Sequence, residues 1–413
     1  MTPSKTVFYI GPWELSQNIN KGALFPNIQL LLETERVKRI VVFLPVGKKT
    51  SANYWQQLIN NQVHKDASSE TCVTFARLRF SEPGSSIFRR LVNFISNRSV
   101  LLQHIRKLSP DLIISRGANS ALALSVSQSS QIPFVVESFE PHSMYMRQTG
   151  TWSAWGLKFW VQRFIEFKVT YSASAVLTVS NGFSRYLVQK GGIDSSRIIT
   201  SPCWFDEDKF FVDHQLRTVT RKKLFADGRL VGIYVGKFQG IYYSPKVLRH
   251  LRHLRDSLSS RLFIVILTDH DCSIIYNALF EGGFTPSDVY VTAAAHEEVN
   301  NYLNAADFAL SFIKPGPWSF ACSAIKHGEY WAAGLPVLVP RRIGDESEWL
   351  EVEGVGVFVD FENEQSLVAA ASRVTAIINV SGSRERISGV AKKYRGRSQQ
   401  QQAYRILFNK VLH

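Results

Sequence analysis

The sequence predicts an α/β protein made of two doubly wound units facing each other across a cleft, and three observations carry that expectation. Apolar runs of strand length alternate with stretches of helical periodicity in two successive series. A proline and an acidic cluster interrupt the pattern between the series. The second series contains a helical stretch, an Ala-Ala-Gly stop and a wholly apolar strand in immediate succession at residues 322–340.

In the first series, strands are expected at Thr6 to Ile10, Arg39 to Leu44, Cys72 to Arg77, Leu112 to Ser115, Phe134 to Glu137 and Ala175 to Val179. Helices are expected between them at Ala23 to Glu33, Ile87 to Leu108, Ser120 to Gln128 and Gly156 to Thr170. The break falls near Ser201 to Phe211, where Pro202 and Asp206-Glu207-Asp208 interrupt the apolar pattern. The second series has strands at Arg229 to Val235, Leu262 to Leu267, Val289 to Val291, Phe308 to Phe312, Pro336 to Val339 and Val355 to Val359. Nearly continuous apolar strands with short connections suit parallel sheets covered on both faces. This divides the chain into domains at 1–200 and 201–397, followed by a polar helical tail.

With 413 residues and 45% apolar content, each domain has enough chain for its own core. No apolar run approaches membrane-spanning length, and Lys5 leads straight into V-F-Y-I without a signal-type apolar region. The four cysteines, at 72, 203, 272 and 322, form no C-x-x-C pair, so buried, reduced thiols are expected and structural zinc is not. The net charge of +14 is lopsided: residues 1–200 hold 23 Lys and Arg against 11 Asp and Glu, the remainder 25 against 23. A cationic first half suits an anionic ligand or an anionic membrane surface. No nucleic-acid motif accompanies the charge, so a nucleic-acid partner is not expected.

The stretch at 322–340 carries the chemistry. Lys326 and Glu329 share one helical face, and a helix start near Ser323 offers backbone N–H groups to a phosphate. Glu329 is placed to accept hydrogen bonds from a ribose. Chemistry alone also allows an ordinary surface helix with an ion pair before a core strand. In the first unit, Lys21-Gly22-Ala23 precedes a helix, and Gly22 either lets backbone approach a phosphate or serves as a turn.

Ser323, Lys326, Glu329, Tyr330, Ala332, Gly334, Pro336 and Val337 resemble the donor-nucleotide motif of the retaining glycosyltransferases of family 4, S-x-x-K-x-x-E-Y-x-A-x-G-x-P-V. Four further segments are similar to that family's and follow its order: Ala175 to Arg185, Ser201 to Phe210, Val231 to Gly240 and Asn304 to Leu310. The resemblance implies the GT-B fold, two Rossmann-like domains with the acceptor on the first and a nucleotide sugar on the second. It also implies that the helix at about 398–413 crosses back onto the first domain. Gly236-Lys237 is where the family holds a cation against the donor diphosphate, which makes Lys237 the first phosphate candidate. Gln239 stands at one place for a second cation, leaving that role to Lys246 or Lys326. His142 and then Glu137, in V-V-E-S-F-E-P-H-S, are the candidates for touching donor sugar or acceptor.

By the same resemblance, the reaction retains anomeric configuration and needs neither metal nor cofactor beyond the nucleotide-sugar donor. The one D-x-D in a strand-following loop of the second unit, Asp269-His270-Asp271, falls where the resembled fold holds no metal. The family often places a Glu eight positions before Glu329, and here that position is Ala321. That departure keeps open a catalytically silent scaffold in a glycan assembly complex. The expected activity is sugar transfer to a glycan or lipid-linked acceptor, peripheral to the cytoplasmic membrane face, in cell-surface polysaccharide assembly. Trp152, Trp155, Phe159, Trp160, Phe164 and Phe167 recur at helical spacing among Lys158, Arg163 and Lys168. Such a helix either packs in its own domain or lies in a bilayer interface. His296, in A-A-A-H-E-E, is expected to cap a helix rather than read a base.

Overall fold

The computed structural model describes residues 5–11, 24–33, 37–47, 72–82, 84–138, 140–258 and 262–412. Strands β1 (Lys5–Ile10), β2 (Val37–Val46), β3 (Cys72–Arg79), β4 (Leu112–Arg116), β5 (Phe134–Ser138), β6 (Ala175–Thr178) and β7 (Ile198–Thr200) form a parallel sheet ordered β3-β2-β1-β4-β5-β6-β7. A second parallel sheet is built from β8 (Leu230–Val235), β9 (Leu262–Leu267), β10 (Val289–Thr292), β11 (Phe308–Leu310), β12 (Val337–Val339) and β13 (Gly356–Phe358). Its order is β10-β9-β8-β11-β12-β13. The architecture is thus α/β with two doubly wound units, as the periodicity predicts.

Strand β7 was not foreseen. Three residues beside the linker are too short to show a period of two, and only their pairing with Val176 to Thr178 defines them.

Alternation along each strand sends successive side chains to opposite faces, and helices bury both. In the first unit Val7, Tyr9, Val42 and Ile114 meet Ala403, Tyr404, Leu407 and Phe408 from the last helix, Arg397–Val411. Phe8, Ile10, Val41 and Ile113 on the other face meet Leu101, Ala123 and Val126. In the second unit Val231, Ile233 and Val235 pack on Leu303, Tyr330 and Trp331, while Ile264, Ile266 and Leu310 pack on Leu251, Ile275 and Val374.

The linker is held in place. Trp204 donates its indole N–H to Asn27 at 2.9 Å, Arg395 donates to the Cys203 carbonyl at 2.7 Å, and Glu207 accepts from the Arg397 amide at 2.6 Å. Direct contacts also join the units. The Asp345 carboxylate caps the helix Asn181–Gln189 by accepting from the Asn181 and Gly182 amides at 2.8 and 3.3 Å. Tyr145 donates to the Trp318 carbonyl at 3.2 Å, and the Trp318 amide donates to Gln148 at 3.3 Å.

Cys203, Cys272 and Cys322 are free thiols, partly buried rather than fully so. Among the described residues no helix is long and apolar enough to cross a membrane.

Candidate functional site

In open α/β sheets ligands collect beyond the carboxyl ends of the strands, where strand order reverses. The reversal in the second sheet lies between β8 and β11, and the segments leaving those two strands define the site. Val235 ends β8 and leads into Gly236-Lys237. A Cβ on Gly236 would come within 2.8 Å of the Tyr234 hydroxyl, which donates to the Lys237 carbonyl, so a side chain at 236 would break the loop that presents Lys237. Lys237 itself is exposed. The loop folds back and pairs Tyr242 with Ile313, beyond β11.

The helix of the 322–340 stretch spans Ile325–Ala332. His327, Tyr330 and Trp331 face inward, and Gly328 lets Phe205 and the Arg395 stem approach to 3.5 Å from the point a Cβ would occupy. Gly334 stops the helix at φ 77°, with the Leu335 amide bonded to the Tyr330 carbonyl at 2.9 Å. The N-cap is Ala324, not Ser323. Ser323 instead accepts from the Cys203 amide at 3.0 Å, so its hydroxyl fastens the linker to the start of this helix.

Glu329, 2% exposed, accepts from Lys326 at 2.6 Å, and Lys326 reaches toward solvent. The next residue ties this helix to the Lys237 loop: the Tyr330 hydroxyl accepts from the Val235 amide at 2.9 Å and lies 3.3 Å from the Val235 carbonyl, to which it donates. Lys237 and Glu329 are therefore tethered through neighbouring residues to one buried hydroxyl. Tyr330→Phe leaves the Val235 amide without its acceptor and is expected to cost about 1–3 kcal/mol. Denaturant unfolding would register that loss, together with weaker nucleotide binding.

His296 is corrected by the structure. It makes no capping hydrogen bond; Ala295 is the N-cap of its turn. Its ring instead packs edge-on against Phe210 at 5.4 Å, and burial lowers its pKa, with Glu329 acting against that shift and Lys326 adding to it. The half-buried imidazole thus lies within electrostatic reach of the Glu329 carboxylate, while the Phe210 ring behind it belongs to the core.

Behind the helix Ile325–Ala332, His327 bridges the Ser311 hydroxyl at 2.7 Å and Glu346 at 3.2 Å, and Arg395 pairs with Glu346. Burial opposes ionisation of Glu346, but the Arg395 guanidinium and the His327 hydrogen bond hold its carboxyl below the usual range. The chain Ser311-His327-Glu346-Arg395 is buried and serves to fix the helix.

On the facing wall, His142 begins the helix His142–Gln148 and lies 3.1 Å from Glu140. The hydrogen bond to Glu140 raises the His142 pKa, and the Trp152 ring meets its edge at 5.6 Å. Glu140 also acts electrostatically on Tyr242 and Cys322, residues of the second unit, which puts it at the cleft. A raised imidazole pKa means that the pair's contribution is complete below the unfolded value of about 6.5 and is lost as pH rises through the folded pKa. Glu140→Gln should move the His142 titration downward in NMR.

Glu137 does not face the cleft. It is 1% exposed, accepts from Tyr9 at 2.7 Å and from Tyr404, and lies 3.2 Å from the Arg116 guanidinium. The end of β5 points this carboxylate toward the last helix, where it joins β1, β4, β5 and the C-terminal segment. Gly22 lies outside the described residues. Lys246 is exposed on a turn at Pro245–His250. Asp271 caps the helix Cys272–Glu281 through the Ser273 amide at 2.9 Å, and that bonding lowers its pKa.

A cavity of about 530 Å³ lined by Arg217, Arg221, Arg229 and Asp307 opens at the opposite, amino end of the second sheet. Its guanidinium groups are occupied by main-chain carbonyls, Asp307 and Asp288, so it belongs to the scaffold.

Two doubly wound domains, a cationic loop after the first strand of the second and a carboxylate-bearing helix beside it make up the GT-B arrangement of glycosyltransferases. Residues 64–209 match the family model described as Glycosyltransferase Family 4. The fold is similar to that of a glycosyltransferase from Rickettsia africae at 12% identity and TM-score 0.69, covering 99% of each chain. Sucrose-phosphate synthase of Thermosynechococcus elongatus is similar at 15% identity and TM-score 0.68, over 98% of this chain and 99% of that one. Anabaena HepE, solved with UDP and glucose, is similar at 12% identity and TM-score 0.68, over 98% and 100%. The sequence matches none of the curated proteins. The whole chain thus has the GT-B fold of these structures, and the match to the glycosyltransferase family 4 model covers part of its first domain.

Proposed function

We propose that the protein transfers a sugar, with retention and without a metal, from a nucleotide sugar to a glycan or lipid-linked acceptor at the cytoplasmic membrane face, in cell-surface polysaccharide assembly. The observation that carries the reading is the clamp of Tyr330 on Val235, which tethers the Lys237 loop to the Lys326–Glu329 pair where the second sheet reverses. UDP and glucose bound in the similarly folded HepE support a nucleotide sugar here.

In this reading Glu329 accepts hydrogen bonds from the ribose hydroxyls, and His296 borders the base. Lys237, with Lys326 beside it, faces the diphosphate. The bond from the anomeric carbon to the diphosphate oxygen breaks as the acceptor oxygen bonds the same face, and the acceptor proton passes to the departing phosphate oxygen. Charge grows on the leaving group through an oxocarbenium-like transition state, and preplaced ammonium groups stabilise it. His142, held by Glu140 on the opposite wall, orients the sugar or acceptor hydroxyl. Ala321 is buried among first-domain residues, so the sugar is read by other groups.

Five aromatic residues of the 152–168 stretch support a membrane position. Of the six, only Phe159 is buried; Trp155, Trp160, Phe164 and Phe167 are exposed, and Trp152, partly buried, lies under the Lys158 ammonium at 4.5 Å. The test of the activity is release of UDP, GDP or ADP from matching nucleotide sugars in the presence of lipid-linked acceptors. Turnover with one donor class is expected; absence of release with every pair would overturn the reading.

A further inference from the structure

The helix Ile87–Leu108 is amphipathic in the wrong sense over its first three turns. Its docked face there is polar: Asn93 donates to the Phe80 carbonyl at 3.2 Å and to Ser81 at 2.8 Å, while Asn97 accepts from the Arg79 amide at 2.7 Å and donates to its carbonyl at 3.1 Å. Ile87, Phe88, Leu91, Val92 and Ile95 form one stripe on the opposite side, with Ile87 84% and Phe88 76% exposed. A helix that packed only for stability would show the reverse pattern.

Asn97 bonds Arg79, the last residue of β3, so the ten residues before it overhang the carboxyl edge of the sheet by about 15 Å at the usual helical rise. This is the edge where the cleft lies. No described element covers the stripe.

The same helical layer carries the exposed aromatic stripe of the helix Leu157–Ser172. Both helices pack against Ser120–Ser130, one on each side, which separates their axes by about 20 Å, two ordinary interhelical spacings. In a parallel β/α unit both run against the strands, so both N-terminal halves, where the apolar residues concentrate, lie at the cleft edge. Trp155, just before the second helix, is 93% exposed.

Charge selects the occupant. The helix Ile87–Leu108 has no Asp or Glu, and Arg89 and Arg90 interleave with the stripe. In the second helix the one acidic residue, Glu166, is turned inward to Ser143, whereas Lys168 is exposed. Two convex apolar stripes flanked by cations would repel a second copy of themselves and suit an anionic bilayer, which takes apolar side chains below the headgroups and cations among them.

We propose that Ile87, Phe88, Leu91, Val92 and Ile95 form a second membrane-inserting element, which together with the Trp155 to Phe164 stripe seats the first domain on an anionic bilayer at two points. The inference rests on the membrane position proposed above and deepens it. Two attachments in one layer fix the tilt of the domain, whereas one helix would leave it free to rotate. They bring the cleft edge to headgroup level, where a lipid-linked acceptor presents its sugar.

Sedimentation of the full-length protein with phosphatidylcholine vesicles, with and without roughly a quarter phosphatidylglycerol, tests this. Wild type is expected to partition onto the anionic vesicles. The Phe88→Glu/Leu91→Glu variant should lose at least about tenfold in partition at unchanged Tm, since both positions are exposed, and Trp155→Ala/Trp160→Ala should lose binding independently. Full binding by the first variant alongside loss in the second would overturn the second element and leave the membrane position standing. Failure of wild type to bind any vesicle would remove both. A solution dimer dissolved by Phe88→Glu/Leu91→Glu would assign the stripe to a second copy and overturn the proposal.

Discussion

Lys237→Ala is expected to lower sugar-transfer turnover about 10²–10³-fold while leaving the fold intact, because its ammonium is exposed on a loop and serves the leaving diphosphate rather than the core. Glu329→Ala should act differently. It removes the buried acceptor proposed for the ribose, so the loss falls on nucleotide affinity, by about 1.5–3 kcal/mol for each charge-assisted hydrogen bond. The Lys326 ammonium stays hydrated in that variant, since it already reaches solvent. Turnover assays and calorimetry on the two proteins separate the effects. A turnover loss confined to Lys237→Ala and an affinity loss led by Glu329→Ala fit the geometry; unchanged turnover in both would remove the site.

Glu137→Ala carries the largest expected effect on stability. It leaves Arg116 and the hydroxyls of Tyr9 and Tyr404 buried without their common acceptor. Breaking a buried charge pair from one side costs about 3–5 kcal/mol. For a domain of this size that is a drop of about 6–20 °C in Tm. The folded fraction should still bind nucleotide, because the network lies in the first domain beside the last helix. A Glu137→Gln variant with unchanged Tm and abolished turnover would give Glu137 back the catalytic role expected from its sequence neighbourhood.

That contrast marks where reading the sequence stopped. V-V-E-S places Glu137 at the end of a strand facing a cleft in any doubly wound sheet, and nothing local shows that a tyrosine from β1 and another from a helix 267 positions later converge on it. Long-range polar closure leaves no periodic signal. Elements with dense apolar patterns were legible: the helix Ile87–Leu108 and strand Leu262–Leu267 have the bounds that periodicity assigns, and Gly334 is the left-handed stop after the helix Ile325–Ala332. Strand β7 was missed because it exists only through its neighbour.

At the site, spacing singled out Lys326 and Glu329 and the family resemblance singled out Lys237, but neither gave the connections that unite them. The Tyr330 hydroxyl on Val235, the Ser323 hydroxyl on Cys203 and the His296–Phe210 contact all join segments distant in sequence. Periodicity likewise assigned the helix Ile87–Leu108 without telling that asparagines would dock its first turns and leave Ile87 to Ile95 outward. A helical repeat gives the width of an apolar face and is silent on which face meets the sheet.

The most direct test of the central claim, a nucleoside diphosphate held between the Lys237 loop and the Glu329 carboxylate, is calorimetric titration of UDP, GDP and ADP into wild type, Lys237→Ala and Glu329→Ala. One nucleotide is expected to bind wild type and to weaken at least about tenfold in each variant, the equivalent of one charge-assisted contact. Equal affinity across the three folded proteins, or no binding of any nucleotide by wild type, would contradict it.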